Sequence, residues 1–558
     1  MNLSSILVEW GHPVTLFLAP WICYWDIIQG KPVSDDVMGI FVYDGKMQQP
    51  LSFHNVFKKL RWLYGRLPNP NFGKPVPQGQ PAHSQWIQCN RKHHKLNIML
   101  FGGVLVLLYS FLTQIIDPQV AFLATLLFAC HPMGTQVCGW ISGIGYLLAT
   151  FFMLMGLNFV YIAQWQGWLA TPLGVLFSLL GYAFFQWVAI EAMFAVAGIP
   201  IILAFLGFWP FAVVAGLISA YGLVNTFREA VTLRRKTFKE QAMDRSTKFH
   251  LRKFIVMVKT LWYDTKISFF PKRMGLYAKF GYHYVLPEIE QEDKYFWWGT
   301  LVLAGWIALF VVGPLPVKLA VLWFGATVVV FLNAITANQF ASERYVWLPS
   351  IGTCLIVAWY TQTLPWLYWL ILGVAVMRLW AHIPTYFDEE NFYRSNIWNF
   401  PDSEVALGNL GVILQMQGRK GAAIDTWTKG IQINKDYDVN WFNLYSINRA
   451  GISCWINDRW MHMQMPGPDF LQQIRNYLAQ AIAVPTCHFK ELWTKELTQL
   501  DAEIAQRKAG GPPVTPTTIP KPIMVNVGVT QEVGSNAAVE MASAPPPQPT
   551  KQEIPTPK

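Results

Sequence analysis

Long apolar runs separated by short polar segments occupy the first two thirds of the chain. A helix needs about 20 apolar residues to cross a bilayer. Candidate runs lie at 4–27, 96–116, 118–130, 137–163, 168–190, 192–223, 296–313, 315–335, 347–363 and 365–381. Because the run at 192–223 is too long for one crossing, we expect Pro210 to divide it into two short spans. The pattern predicts an all-α membrane helix bundle of about 10–11 spans.

The predicted bundle covers residues 1–383 and carries two long polar loops, at 28–95 and 224–295. Its first apolar segment, Leu3 to Ile28, lacks a basic start and a small-residue cleavage site, and it contains Glu9 and His12. These features predict a retained first span rather than a removed signal peptide.

The composition also indicates a membrane protein, and it limits the kinds of partner that we expect. The chain is 53% hydrophobic and 14% charged, and its mean hydropathy is +0.27, which excludes a soluble enzyme. The net charge of +10 is confined to loops, so it suits membrane lipids or a polyanionic ligand and does not indicate nucleic acid. The seven cysteines are scattered without a C-x-x-C pair, so neither a metal site nor a disulfide framework is predicted.

The second long loop contains a stretch rich in Lys and Arg at 228–253, followed by apolar residues at 254–258. This pattern favours a basic helix in the headgroup layer, or a site for a phosphate-bearing lipid, because both use the same cations. Charge bias places the basic side in the cytoplasm, but loops of about 60 residues or more weaken that rule. Topology therefore stays open.

A helical-repeat domain and a flexible tail are predicted after the bundle. Asn409-Leu410 recurs as Asn443-Leu444, 34 residues later, which is the period of a tetratricopeptide (TPR) repeat. We predict a short TPR-like domain at 384–508 that docks on the bundle or on a protein partner, because short arrays need support. The Pro-rich residues 509–558 are predicted to form a disordered tail that is available to dock on another protein.

One polar segment interrupts the apolar pattern at His131-Pro132-Met133-Gly134-Thr135-Gln136, and we name residues 131–136 the polar turn. Unsatisfied backbone groups at membrane depth are costly, so we expect this segment at a membrane face or beside a wet cavity. There a helix start presents free N–H groups to an anion. An ordinary inter-helix turn is the alternative.

Five segments together resemble a known family of membrane proteins. They are His94-Lys95-Leu96-Asn97, His131 to Gly143, Glu191 before Ile199-Pro200, Trp262 to Pro271, and Ser342-Glu343-Arg344-Tyr345-Val346-Trp347-Leu348-Pro349-Ser350-Ile351-Gly352. They resemble motifs of the transmembrane-and-TPR O-mannosyltransferase-like proteins, which join a GT-C-type glycosyltransferase fold to TPR repeats. The last segment is close to the family's motif E-R-Y-x-Y-L-P-S-I-G and is the most specific of the five.

The resemblance implies a sugar donor carried on polyprenyl phosphate and a protein or glycan acceptor. An inverting transfer needs a carboxylate that takes the proton from the acceptor hydroxyl. The first-loop acids Asp35, Asp36 and Asp44 are the candidates, with ordinary solvated loop acids as the alternative. The candidates for binding the donor and its leaving phosphate are Lys74, His131, Glu191, Lys272, Arg273, Glu343 and Arg344. No cofactor is firmly implied, and a role for a divalent metal stays open.

Departures from the family pattern support a second hypothesis. The family's arginine after I-S-G is Ile144 here, its acid after H-P-x-x-T is Gln136, and its lysine before Glu191 is Ile190. Buried charges persist mainly where they are used, so these losses favour a catalytically inactive subunit of a larger membrane complex. The enzyme hypothesis is slightly favoured because the scaffold and the repeats both persist. Both hypotheses predict a multi-pass protein of the bacterial inner membrane or, in a eukaryote, of the endoplasmic reticulum membrane.

Overall fold

A computed structural model describes residues 10–31, 82–166, 200–209, 251–272, 293–329, 343–435, 437–457, 468–484 and 490–509, together with isolated positions between them. Every regular element in these residues is a helix, so the all-helical prediction is confirmed for them. The α-helices are α1 (His12–Cys23), α2 (Ala82–Thr113), α3 (Pro118–Ala129), α4 (Gly134–Gly139), α5 (Ile144–Gln166), α6 (Leu251–Phe269), α7 (Asp293–Val312), α8 (Leu315–Val328), α9 (Glu343–Trp347), α10 (Ser350–Thr361), α11 (Pro365–His382), α12 (Glu389–Asn399), α13 (Glu404–Met416), α14 (Lys420–Ile433), α15 (Asp438–Asn457), α16 (Pro468–Ala483) and α17 (Lys490–Lys508).

Four helical segments in the described residues are long and apolar enough to cross a membrane: Arg91–Thr113, Ile144–Ile162, Lys294–Val312 and Pro365–Tyr386. Inside the structure, 56% of the first apolar window and 67% of the second are buried, against 11% of the third and 33% of the fourth. Helices α2 and α5 are therefore central to the packing, whereas α7 and α11 present most of their apolar surface outward.

The helix bounds differ from the apolar runs in two places. Helix α2 begins at Ala82, ahead of the apolar run at 96–116, so the polar residues before that run are also helical. The run at 137–163 becomes a continuous helix only from Ile144, since residues 134–143 form the short helix α4 and a 3₁₀ turn at Ile141–Gly143. The run at 168–190 and most of the run at 192–223 lie outside the described residues.

Glycines allow two pairs of helices to approach closely. A Cβ at Gly102 of α2 would lie 2.7 Å from the backbone oxygen of Phe17 in α1. A Cβ at Gly352 of α10 would lie 2.5 Å from the backbone oxygen of Ala320 in α8. Such contacts are typical of helix pairs in membranes, where small residues let the backbones pack together.

Helices α12 to α17 follow the bundle, and each is packed against its neighbour in sequence. Helix α13 begins after the Ser403 cap and ends at Met416, and Gly418, with a φ of 80°, lets the chain turn into α14. The Trp427 indole of α14 donates to the Gly408 carbonyl of α13 at 2.9 Å. Asn409 and Asn443, the residues of the 34-residue recurrence, are both fully buried.

An exposed ionic cluster fixes the start of this helical region. Glu390 of α12 accepts hydrogen bonds from Arg394 at 2.7 Å, Arg419 at 2.8 Å and Gln417 at 3.0 Å. Partial burial raises the pKa of the Glu390 carboxyl, but these hydrogen bonds outweigh it and lower the pKa to about 2.

The bundle and the following helices share one hydrophobic core. A single cluster of buried apolar side chains extends from Leu16 of α1 to Ile447 of α15 and includes Leu410 and Trp427. A second cluster, built on Trp493 and other residues of α15, α16 and α17, closes the far end. Helices α13 and α14 therefore do not form a free appendage, because their apolar faces are continuous with the core of the bundle.

Candidate functional site

His131, the first residue of the polar turn, is held by protein groups on both ring nitrogens. Its Nε2 lies 2.9 Å from the carbonyl oxygen of Ser268 in α6, and its Nδ1 accepts from the Met133 N–H at 3.4 Å. A carbonyl only accepts, so Nε2 carries the proton and the ring is neutral. The Tyr24 hydroxyl donates to the His131 carbonyl at 3.2 Å. His131 therefore ties the polar turn to α6 and to the end of α1.

Gln136, the last residue of the polar turn, connects it to the Glu343-Arg344 segment. Its Oε1 accepts the backbone N–H of Arg344 at 2.7 Å, and both residues are buried. This N–H belongs to the first turn of α9 and has no partner within the helix. The amide oxygen thus satisfies the backbone of a residue 208 positions away in the chain.

The Glu343 carboxyl group is buried against His382, the last residue of α11. Its two carboxylate oxygens lie 3.0 Å from Nε2 of His382, and the Tyr386 hydroxyl donates to Oε2 at 3.3 Å. The side chains of Glu343 and His382 are 1% and 6% exposed. These contacts hold α9 against the end of α11 and the 3₁₀ turn at Ile383–Tyr386.

A short hydrogen-bonded chain leads from this pair to the C-terminal helices. Nδ1 of His382 lies 3.3 Å from the Thr385 hydroxyl, which in turn donates to the Ser395 hydroxyl of α12 at 3.0 Å. The carboxylate of Glu343 is therefore connected through two further side chains to the first helix after the bundle.

Arg344 lies between two aromatic rings. Its guanidinium carbon is 5.1 Å from the ring centre of Trp140 and 5.1 Å from that of Tyr345, and the residue is only 6% exposed. Contacts of this kind stabilise a guanidinium where few waters can reach it. The cation is thereby fixed beside the end of α4, just after the polar turn.

His94 and Gly30 complete the same cluster. Nδ1 of His94 donates to the Cys138 carbonyl of α4 at 3.3 Å. A Cβ at Gly30 would lie 2.7 Å from the Tyr386 carbonyl oxygen and 3.5 Å from Nε2 of His94. The next N–H, that of Lys31, donates to the Phe387 carbonyl at 2.9 Å. The chain therefore enters the first long loop beside the polar turn and Tyr386.

Lys272 lies at the end of α6, where an arginine of α11 holds the backbone. Nη2 of Arg378 donates to the Pro271 carbonyl at 2.9 Å and to the Lys272 carbonyl at 2.8 Å. The Lys272 side chain is exposed. Arg378 thus orients the turn after α6, where the unpaired carbonyls of a helix end favour a cation.

Helix α6 also carries a buried carboxyl group. Asp264 lies one turn before Ser268 on the same face and is 1% exposed, and its Oδ2 has no hydrogen-bond partner in the described residues. Burial raises the pKa of Asp264 well above its ordinary value.

The structure places three of the predicted site residues, His131, Glu343 and Arg344, in this cluster, with Lys272 at the end of the helix that contacts it. The other predicted site residues lie outside the described residues: Asp35, Asp36, Asp44, Lys74, Glu191 and Arg273. In the part of the chain that the structure describes, no group of three His, Cys, Asp or Glu side chains could hold a metal ion.

Several contacts of the cluster were not predicted from the sequence, among them those of His382, Tyr386, Arg378 and the Ser268 carbonyl. The only advance signal was for Arg378 and His382, which are ionisable residues near the end of a predicted span. Tyr386 lies in a segment without a distinctive pattern. Ser268 lies within the segment Trp262 to Pro271, but it contributes its backbone carbonyl, which any residue type provides.

The cluster combines a carboxylate paired with an imidazole, a cation set between aromatic rings and a neutral histidine. No family model, no curated protein and no solved structure matches the chain. The chemistry of these groups and the sequence motifs that carry them are therefore the basis for assigning a function.

Proposed function

We propose that the chain is a multi-pass membrane glycosyltransferase of the GT-C type, with a TPR-like domain and a flexible Pro-rich tail. It moves a sugar from a polyprenyl-phosphate donor to a protein or glycan acceptor outside the cytoplasm. The observation that carries the proposal is the meeting of the polar turn with Glu343-Arg344, through the hydrogen bond between Gln136 and Arg344. These two segments hold the two most distinctive motifs of the resemblance, and they are 208 residues apart in sequence.

The proposal divides the work between two sets of residues. The side chains of His131 and Glu343 are hydrogen-bonded to other protein groups. In the proposal they therefore position the site and do not react. The acids of the first long loop supply the base. Near the start of that loop, the Lys31 N–H donates to the Phe387 carbonyl. Asp35 lies four residues later, within about 14 Å of extended chain.

The proposed reaction is an inverting displacement. A loop carboxylate takes the proton of the acceptor hydroxyl as that oxygen attacks C1 of the sugar, and the bond between C1 and the phosphate oxygen breaks. Arg344, together with Lys74, Lys272 and Arg273, stabilises the charge of the leaving phosphate. The C-terminal helices hold the acceptor or a protein partner, in line with the hydrogen-bonded connection from Glu343 to Ser395.

The test is transfer of radiolabelled sugar from a polyprenyl-phosphate donor by the full chain in purified membranes. We expect Asp36→Asn or Asp44→Asn to lower the rate by about 10²-fold or more, because a general base contributes that much. Asp425→Asn, a change at an exposed acid of α14, is the matched control and should leave transfer unchanged. The enzymatic proposal is contradicted if neither loop variant lowers the transfer rate, or if the wild-type chain transfers no sugar.

A second candidate is a catalytically silent assembly subunit. Two observations favour it. The side chains of His131 and Glu343 are hydrogen-bonded to other protein groups, and Ile144 and Ile190 stand in place of the family's cations. This candidate expects no transfer and a partner at fixed stoichiometry after purification in mild detergent. A lone, inactive monomer under those conditions argues against it.

A further inference from the structure

Two cysteines that are 107 positions apart in the chain lie side by side in the structure. The Sγ atoms of Cys23 and Cys130 are 3.6 Å apart, so the two thiols share a hydrogen bond. Both are free cysteines, and they are only 6% and 4% exposed. Cys138 and Cys354 are also buried, but among the described residues neither is hydrogen-bonded to another cysteine sulfur.

The two thiols lie at matching positions of two helix ends. Cys23 is the last residue of α1, and Cys130 directly follows α3. The next residues are paired as well, because the Tyr24 hydroxyl donates to the His131 carbonyl at 3.2 Å. A Cβ at Gly134 would overlap the Tyr24 hydroxyl, so this glycine leaves room for the tyrosine. Two consecutive contacts therefore set the register between the end of α1 and the start of the polar turn.

This arrangement is close to the geometry of a disulfide bond. Bonded sulfur atoms lie about 2.05 Å apart, so the two Sγ atoms need to approach each other by about 1.5 Å. Rotation of the two side chains about their Cα–Cβ bonds can supply a shift of this size. An S–H group is only a weak donor, so the hydrogen bond stabilises this contact far less than a covalent bond would.

We propose that Cys23 and Cys130 are a modification site, at which a thiol oxidoreductase outside the cytoplasm forms an intramolecular disulfide bond while the chain folds. Disulfides form and persist in oxidising compartments of that kind. The choice of pair comes from the geometry. The orientation of this end of the bundle, outside the cytoplasm, rests on the proposed function.

The reaction is a thiol–disulfide exchange. One cysteine thiolate attacks the disulfide of the oxidoreductase, and a mixed disulfide forms as one enzyme sulfur leaves. The second thiolate attacks the first cysteine sulfur, so the bond between Cys23 and Cys130 forms and the other enzyme sulfur leaves. Two electrons and two protons pass to the oxidoreductase, which is released as a dithiol. The exchange precedes folding around the pair, because an enzyme cannot reach sulfur atoms that are so deeply buried.

The bond ties an outer helix to the polar turn. Helix α1 has an exposed apolar face formed by Val14, Leu18 and Ile22, so only part of its surface is held by packing inside the chain. With Cys23 bonded to Cys130, the end of α1 cannot separate from the polar turn. The start of the first long loop, which carries the candidate acids, is thereby kept beside that turn.

The test identifies disulfide-linked peptides by mass spectrometry in the full chain, with free thiols blocked by N-ethylmaleimide at lysis. The chain is expressed in a bacterial host that has its periplasmic thiol oxidoreductase and in the same host without it. The peptide pair containing Cys23 and Cys130 should predominate in the first host and be largely absent from the second. The control Cys138→Ala/Cys354→Ala should keep the bond, because neither residue takes part in it.

Melting temperatures of the purified chain in detergent provide a second readout. The oxidised wild type should melt about 5 °C above the same protein reduced with dithiothreitol, because the bond closes a loop of 107 positions in the unfolded chain. The Cys138→Ala/Cys354→Ala variant should show the same difference. Cys23→Ala should show none, since it leaves Cys130 without its partner.

The outcomes separate this inference from the proposed function. The disulfide is contradicted if both cysteines are recovered as free thiols from both hosts, if either is linked to a different cysteine, or if the bond forms equally without the oxidoreductase. It is also contradicted if Cys23→Ala keeps the difference in melting temperature. Sugar transfer by the same wild-type preparation tests the proposed function separately. Transfer without the bond contradicts only the disulfide, and the bond without transfer contradicts only the glycosyltransferase.

Discussion

The pair formed by Glu343 and His382 is predicted to be a strong link between α9 and α11. His382→Phe keeps the ring volume and removes the group that bonds both carboxylate oxygens at 3.0 Å. Since the two side chains are 1% and 6% exposed, water cannot replace the lost partner. Removing one member of such a pair costs about 3–5 kcal/mol, and we expect a loss of about 3 kcal/mol here because the Tyr386 hydrogen bond remains.

Removing both members should be far milder. The double variant Glu343→Leu/His382→Phe leaves neither member of the pair without its partner, and we expect it to lose about 1 kcal/mol, mainly from the lost hydrogen bond between Tyr386 and Glu343. The expected coupling energy of the double-mutant cycle is therefore about 2 kcal/mol or more.

The free energy of unfolding is to be measured by tryptophan fluorescence during denaturant titration of the detergent-solubilised chain. The cycle at Arg475 and Asp501, whose side chains are 31% and 47% exposed, is the matched control. Its coupling energy should stay below about 1 kcal/mol. A loss under about 0.5 kcal/mol in His382→Phe, or additive effects of the two changes, would refute the assignment of a buried, mutually dependent pair.

Two further predictions concern packing and pH. Gly299→Ala puts a Cβ against the Val258 backbone of α6 and should destabilise the protein by about 1–3 kcal/mol. Gly305→Ala is the control on the same helix, because no atom lies within 4 Å of the added Cβ, and it should be neutral. If denaturant titrations show equal changes in the free energy of unfolding for the two variants, this packing is contradicted. The depressed pKa of Glu390 means that its stabilisation is present above its usual pKa of 4.5 and is lost as the pH falls through about 2. Glu390→Gln should cost under about 1 kcal/mol at pH 7 and nothing below pH 2, and an unchanged difference at both pH values would be inconsistent with that titration.

The helical secondary structure of the apolar runs was predictable from the sequence, because hydrophobic periodicity and run length are local signals. The runs at 347–363 and 365–381 correspond closely to α10 and α11. Residues 134–143 were less predictable, since a short helix and a 3₁₀ turn leave no clear periodicity. Asn409 and Asn443, the residues of the 34-residue recurrence, are both buried in helices, and the TPR assignment stays a prediction.

The partners of the site residues were not predictable. Glu343 and Arg344 stood out by their motif, but nothing local to them indicates His382, which is 39 residues away, or Gln136, which is 208 residues away. Gln136 was interpreted as a lost charge, whereas its amide oxygen accepts a backbone N–H that a carboxylate would also satisfy. Such pairings depend on how helices cross, which a single sequence does not encode locally.

The most direct test of the central claim is an experimental density map of the full chain in a lipid nanodisc with farnesyl phosphate. The map should place His131 against Ser268 and Gln136 against the Arg344 backbone, at hydrogen-bonding distance, with phosphate density beside Arg344. A map in which the polar turn and Glu343-Arg344 are far apart, or in which the phosphate lies elsewhere, would contradict it.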